Sequence, residues 1–356
     1  MKIKLISVVG NRPQFIKLKP LSDNIKKFNK LIHHKIIHTG QHYDKNMSDI
    51  FFNDLKLPKP HFYLNVGGIS DAEFLAKVIS KLETILLKEK PNGVIVYGDT
   101  NTTLAAAICS SKLKINIFHV EAGLRCYDKN MPEEINRLLT DHLSDLHFVP
   151  TKFSKTNLLK ENINKNKIKF VGDIMYELLI NTIKSNKFNK INEIYNKNKE
   201  YILFTVHRAE NTLLKNKMKQ LLSSIKKIDF QFIWPCHPRT KKFLKDNKIN
   251  IPKNINIIEP IGYFEMISLI KNSLLVITDS GGVQKESFFL KKISIILRNH
   301  TEWKEILEKN NSILLKEQKL EKVIKKMINK KFKQNKNLNF KTVSTNIIKE
   351  IINFYE

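Results

Sequence analysis

At 356 residues the chain exceeds one ordinary α/β domain and suits two of about 170 residues each. A hydrophobic fraction of 42% excludes a largely disordered chain, and no apolar run reaches the roughly 20 residues that a bilayer-spanning helix needs. The formal charge of +28 raises nucleic-acid binding, but lysine is spread with Asn and Ile along the whole chain rather than gathered into one aromatic-laced stripe, so the charge reads as compositional bias on a solvated surface.

In chain order, KIKLISVVG is an apolar strand, and PQFIKLKPLSDNIKKF is a helix with Pro13 near its first position. HKIIHTG is a second strand, DAEFLAKVISKLETILLKEK a long amphipathic helix and GVIVYGD a third strand. The small-residue helix TTLAAAICSSKL, the strand INIFHVEAG, the segment PEEINRLLTDHLS and the short strand DLHFVPT complete the first half. Near residue 170 the pattern restarts: KIKFVGD leads into a polar Asn/Lys stretch, after which YILFTVH, FQFIWPCHP, NINIIEP, SLLVITDSGG and KISIILRN alternate with helices. Strands separated by helices predict parallel, doubly wound sheets. The expected fold is therefore α/β with two Rossmann-like domains, residues 1–169 and 170–340, and a final helix over 341–356 whose apolar face fits either domain, with packing back on the first one expected. The opening segment is a strand stopped by Gly10 rather than a secretion signal. Cys109, Cys126 and Cys236 show no C-x-x-C spacing, so a reducing, cytoplasmic setting is expected.

Against the lysine background, the six arginines stand out: Arg12, Arg125, Arg137, Arg208, Arg239 and Arg298 lie in turn-rich or polar segments beside strand ends. A planar guanidinium fork suits phosphate and carboxylate where a lysine gives only a point charge. Ligands of open parallel sheets bind beyond the carboxyl ends of strands. That rule selects Arg12, Lys17, Gln41–His42, Asp99, Glu121, Glu133, Glu134 and Arg137 in the first half, and His207–Arg208, His237, Arg239, Glu259, DSGGVQKE, Arg298 and Glu302 in the second. In DSGGVQKE, Ser280, Gly281 and Gly282 open a helix whose free N–H groups suit a diphosphate, with Glu286 placed for ribose hydroxyls; Asp279 or Ser280 as a plain cap fits the same residues. Asp99 equally fits a helix cap, Glu133 and Glu134 favourable first-turn acids, and Gln41–His42 a cap for the helix continuing as DKNMSDIFF. Glu121 closes a largely apolar strand, where a carboxylate is costly without a task. No G-x-G-x-x-G follows the first strand and no G-x-x-x-x-G-K-[ST] occurs, so a nicotinamide or P-loop nucleotide is not expected.

Together GNRPQFIKLKP, HTGQHYDKNM, YGDTNTTLAAA, HVEAGLR, MPEEINR, VGD, TVHRAENT, CHPRT, TDSGGVQKE and RNHTEWKE resemble the non-hydrolysing UDP-N-acetylglucosamine 2-epimerase family, in family order from residue 9 to about 305. The resemblance implies the glycosyltransferase-B architecture with the active site in an interdomain cleft, a homodimer, no cofactor and no metal, and a UDP-sugar substrate in place of nucleic acid or membrane. It implies Asp99, Glu121 and Glu133 as the carboxylates that move the proton at C2. Arg12, Lys17 and His207 would contact the diphosphate or the departing UDP, with Arg137 also in the substrate site. Ser280, Gly281 and Gly282 would hold phosphate, Glu286 the ribose, and Met266 would lie at the uridine pocket. The product would feed surface polysaccharide synthesis. Trp303 stands where many members carry arginine, Met266 where an aromatic is frequent, and QHYDKNM lacks the second glutamine linked with allosteric activation, so weak or no activation is expected. TVHRAENT, QHYDKNM and TEW look closer to the branch acting on UDP-2,3-diacetamido-2,3-dideoxyglucuronate, which leaves two substrates open. The competing readings are a glycosyltransferase of the same architecture, a hydrolysing 2-epimerase and a basic RNA-binding protein.

Overall fold

A computed structural model describes residues 2–41, 51–184, 200–212, 214–333 and 342–356. The chain divides into two compact units, one formed by Met1–Asn181 with Lys336–Glu356 and the other by Thr182–Asn335.

Unit 1 runs β1 (Ile3–Val9), α1 (Arg12–Ile25), β2 (Ile32–His38), β3 (Phe62–Tyr63), α2 (Asp71–Glu89), β4 (Gly93–Tyr97), α3 (Asn101–Lys112), β5 (Asn116–Val120), α4 (Pro132–Leu143), β6 (Leu146–Val149), α5 (Lys152–Lys160), β7 (Ile168–Phe170) and α6 (Ile174–Lys184), whose end passes into unit 2. Its seven strands lie in the order β3-β2-β1-β4-β5-β6-β7, all parallel. Such strands are covered on both faces, which is why β4 reads as an unbroken buried run. Ala105, Ala106 and Ala107 on α3 are fully buried, small enough to bring that helix close to the core of Val8, Val94 and Val96. Ser70 accepts the Glu73 N–H and caps α2.

Unit 2 runs β8 (Tyr201–Thr205), α7 (Ala209–Thr212), α8 (Lys215–Lys226), β9 (Gln231–Pro235), α9 (Pro238–Asp246), β10 (Ile255–Ile258), α10 (Tyr263–Asn272), β11 (Leu275–Thr278), α11 (Gly281–Phe289), β12 (Ser294–Ile296), α12 (Lys304–Leu307), β13 (Ser312–Leu314) and α13 (Leu320–Met327). The sheet order is β10-β9-β8-β11-β12-β13, again parallel. Phe204 and Trp234 meet edge to face at 4.8 Å in its core.

One feature differs from the reading by pattern. KIKF supplies β7, which pairs with β6 and so closes the first sheet rather than opening the second; the division falls within α6, not at residues 169–170. The final helix, α14 (Val343–Tyr355), belongs to unit 1. Glu177 on α6 accepts the Ser344 N–H and hydroxyl, each at 2.7 Å, at its first turn. Lys169 pairs with Glu350 at 2.8 Å, and Phe354 meets Phe118 edge to face at 5.4 Å. Among the described residues no helix is long and apolar enough to cross a membrane.

Candidate active site

In each sheet the strand order reverses at one place, between β1 and β4 in unit 1 and between β8 and β11 in unit 2. Loops leaving adjacent strands diverge there and open a crevice at the carboxyl edge. Arg12 and Asp99 follow β1 and β4, and His207 and Asp279 follow β8 and β11; the other residues singled out by sequence follow further strands or lie within helices.

In unit 1, α1 starts directly after β1 with Pro13 in its first turn and the Arg12 guanidinium 4.6 Å from the Phe51 ring centroid. One turn on, Lys17 is buried and its ammonium lies 2.5 Å from Glu121 Oε1. Glu121 follows β5 with a backbone φ of 72°, in the left-handed region that a non-glycine residue rarely adopts. Gly98 follows β4 with φ 65°, and a Cβ there would sit 2.6 Å from Lys17 Nζ and 3.6 Å from Glu121 Oε1. Gly98→Ala is therefore expected to cost about 1–2 kcal/mol for the backbone alone and to displace Lys17. Thermal unfolding and turnover would show the loss, and an unchanged midpoint with full activity would refute it.

Asp99 comes next, about a quarter exposed, and accepts from Arg137 Nη2 at 2.5 Å and Nε at 3.0 Å. Thr100, not Asp99, occupies the cap position of α3, so the carboxylate is engaged by the guanidinium and not by a helix terminus. Arg137 differs from its expected place. It lies inside α4 rather than on a turn, and its buried fork joins Asp99 to Glu134. Glu134 also accepts the Cys126 and Tyr127 N–H groups. Glu133 is half-buried one turn before Arg137, on the same face of α4. Gln41 Oε1 accepts from the Thr102 hydroxyl and N–H at the start of α3; His42 and the rest of HYDKNM through Met47, with the cap and activation expectations attached to them, lie outside the described residues.

Beneath this edge Asp141 accepts from His119 Nδ1 at 2.7 Å, Arg125 Nη1 at 2.7 Å and Gly123 N–H at 3.1 Å, and Arg125 forks onto Glu161. Burial pushes the Asp141 and Glu134 carboxyls up. For Asp141 the His119 and Arg125 partners outweigh burial, and for Glu134 the Cys126 N–H, Arg137 and the Tyr127 N–H do, so both rest below the usual carboxylate range. A carboxyl depressed in the folded state stabilises above its ordinary value and loses that contribution as pH falls through the folded value. The melting midpoint is thus expected to fall once pH drops below 4.5, the ordinary glutamate value. Glu134→Gln should start from a lower midpoint and fall less steeply, and parallel curves would contradict the assignment.

In unit 2, Asp279 is fully buried at the end of β11. It accepts the His207 N–H at 3.1 Å, the Arg208 N–H at 3.0 Å and Asn211 Nδ2 at 3.0 Å. His207 Nδ1 lies 3.2 Å from the same carboxylate while its side chain is 45% exposed, so it is a surface-facing group on a fixed turn and not a core histidine. Ser280 caps α11 by accepting the Val283 N–H at 3.4 Å, which uses its hydroxyl. Gly281 and Gly282 form the first turn and are half-buried; Glu286 is buried one turn further. Lys285 Nζ stands 3.8 Å from the ring centroid of Trp303, and Arg298 pairs with Glu302 at 3.1 Å. Met266, expected at the uridine pocket, is a core side chain with Tyr201, Leu203 and Leu269. Reading by sequence missed His119, Asp141 and Asp279 as supports, because each looks like a lone polar residue until the fold brings it to its partner.

A family model described as UDP-N-acetylglucosamine 2-epimerase matches residues 25–352. The chain is 47% identical over 333 residues to a UDP-N-acetylglucosamine 2-epimerase homolog of Methanococcus maripaludis, covering 91% of this chain and 92% of that one. It is 39% identical over 320 residues to the UDP-2,3-diacetamido-2,3-dideoxy-D-glucuronate 2-epimerase of Pseudomonas aeruginosa, covering 88% of each. The crystal structure of the Methanocaldococcus jannaschii UDP-GlcNAc 2-epimerase in complex with UDP-GlcNAc and UDP matches with a TM-score of 0.93 at 43% identity, over 99% of this chain and 100% of that one. By motif order, by paired parallel-sheet units and by these likenesses, the chain belongs to the UDP-N-acetylglucosamine 2-epimerase family.

Proposed function

We propose that the protein is a cofactor-independent isomerase that interconverts UDP-N-acetylglucosamine and UDP-N-acetylmannosamine by eliminating and re-adding UDP. The observation that carries this reading is the pair of carboxylates, Asp99 and Glu121, after neighbouring strands β4 and β5, each held by a buried cation. The C2 proton of the sugar is not acidic, so a positioned base must act as the leaving group at C1 is stabilised. In this reading Asp99, Glu121 and Glu133 handle that proton. The base takes it as the C1–O bond breaks, which leaves a glycal with a C1=C2 double bond and free UDP. Attack of a UDP oxygen on C1, with a proton delivered to the other face of C2, completes the exchange.

Arg12, Lys17 and His207 balance the diphosphate charge in the same proposal. The first N–H groups and the dipole of α11 at Ser280, Gly281 and Gly282 suit phosphate, and Glu286 suits the ribose. Proton NMR of the protein with UDP-N-acetylglucosamine in heavy water tests it: deuterium should enter at C2 as UDP-N-acetylmannosamine forms. A second reading, the same step on UDP-2,3-diacetamido-2,3-dideoxyglucuronate, is favoured by Trp303 and by the likeness to the Pseudomonas enzyme. Silence with the simple sugar, alongside thermal stabilisation by UDP, would select it.

A homodimer belongs to the proposal and is supported by exposed apolar side chains on two successive helices, Ile135 and Leu139 on α4 and Phe153 and Leu159 on α5. The double variant Ile135→Asp/Leu139→Asp is expected to run as a monomer by light scattering where the parent runs as a dimer; an unchanged mass would remove that face from consideration. The three free cysteine thiols support a cytoplasmic location.

A further inference from the structure

His119, the penultimate residue of β5, is fully enclosed beneath the carboxylates. Its Nε2 lies 2.8 Å from the Gly98 carbonyl oxygen and its Nδ1 lies 2.7 Å from Asp141 Oδ1. A carbonyl oxygen only accepts, so Nε2 carries a proton. Asp141 accepts at its other oxygen from the Gly123 N–H and from Arg125, the surroundings of an ionised carboxylate, so Nδ1 carries a proton too.

The charged groups around the ring agree with that count. Asp141 and Glu161 supply two negative charges, while Arg125 supplies one positive charge and the ring the other. His147 on β6 faces the same cluster through the Asp141 backbone carbonyl, at 2.7 Å from its Nε2, and burial holds its own basicity down. His142 also stands 3.7 Å from Glu161, with its side chain 53% exposed; the set of four is then electrically balanced, which buried charges require.

The consequence falls on Gly98. Its N–H donates to the Val120 carbonyl at 2.9 Å, and its own carbonyl accepts from His119. The turn that delivers Asp99 is thereby tied at both ends to the two residues preceding Glu121. We infer that His119 is a positioning residue for this site: with both ring nitrogens donating, it clamps the Gly98–Asp99 turn to the strand end that carries Glu121 and so fixes the two carboxylates relative to each other. This rests on the proposed roles of Asp99 and Glu121. A purely space-filling histidine would leave one ring nitrogen bare and would not couple to turnover.

The test uses the full chain labelled with ¹⁵N-histidine. Spectra recorded at neutral pH should show one ring with protons on both nitrogens, assigned by its disappearance in His119→Gln. Asp141→Asn offers an amide donor to Nδ1 while its oxygen still serves Gly123 and Arg125, so the ring should keep a proton on Nε2 alone. Folded His119→Gln should lose about 10- to 100-fold in kcat, the scale of an ångström of misplacement, with KM for the nucleotide sugar unchanged. Asp141→Asn should lose less. A single ring proton in the parent protein would overturn the inference, as would a folded His119→Gln with full kcat. If His119→Gln fails to fold, the parent and Asp141→Asn spectra decide the protonation and the Asp141→Asn kcat decides the coupling. Full activity of Glu121→Gln, with the doubly protonated ring intact, would instead overturn the carboxylate roles and leave the ring assignment standing.

Discussion

Glu121→Gln is expected to lower turnover by about 10³-fold or more while UDP still raises the melting midpoint. The estimate follows from the upper part of the range for removing a positioned acid–base group. The amide oxygen of glutamine still accepts from Lys17, so the buried ammonium keeps a hydrogen-bond partner but loses its counter-charge. Burying a charge without its partner costs several kcal/mol when the partner is deleted outright. A smaller drop in the midpoint should thus accompany the kinetic loss, and circular dichroism would separate the two. Lys17→Met in the same background should recover stability and not activity. A Glu121→Gln protein with full turnover would remove Glu121 from the chemistry. Loss of the UDP response would mean that the residue supports nucleotide binding instead.

Asp279→Ala should be the most destabilising change in unit 2. Its carboxylate accepts from the His207 and Arg208 N–H groups and from Asn211 Nδ2, with Asp279 fully buried. Deleting it strands these donors at about 1–3 kcal/mol each, hence about 3 kcal/mol or more in total. The turn after β8 would lose its anchor, and His207 with it. Denaturant unfolding should register the first effect, and loss of the UDP-induced midpoint shift the second. Asp279→Asn keeps one acceptor oxygen and should fall between the two. A Asp279→Ala protein as stable as the parent, with an intact UDP response, would show that the turn holds itself.

The contrast between Asp99 and Asp279 shows where reading by pattern reaches its limit. Both are aspartates that end an apolar strand before a helix, so in one dimension both fit a cap. In the fold Thr100 and Ser280 take the cap positions. The aspartates turn instead to groups 38 and 72 residues away, Arg137 and His207. Likewise Arg137 was legible as a special arginine but not as a buried clamp, because its two acceptors converge only when α4 lies beside the β4 edge. Met266 sits on a helix whose inner face is indistinguishable by sequence from a pocket wall.

Periodicity, turn chemistry and the position of polar residues after apolar runs were sufficient to specify alternating strands and helices, parallel sheets, two units and the strand-end loops that carry Arg12, Asp99, Glu121, His207 and the α11 start. Those features are local, written within a few residues of each other along the chain. The pairing of Lys17 with Glu121, the His119–Asp141–Arg125 support, the left-handed backbone at Glu121 and the Glu177–Ser344 contact that anchors α14 came only with the tertiary structure. Each depends on which strands become neighbours, and a switch point is a property of strand order that no single segment contains.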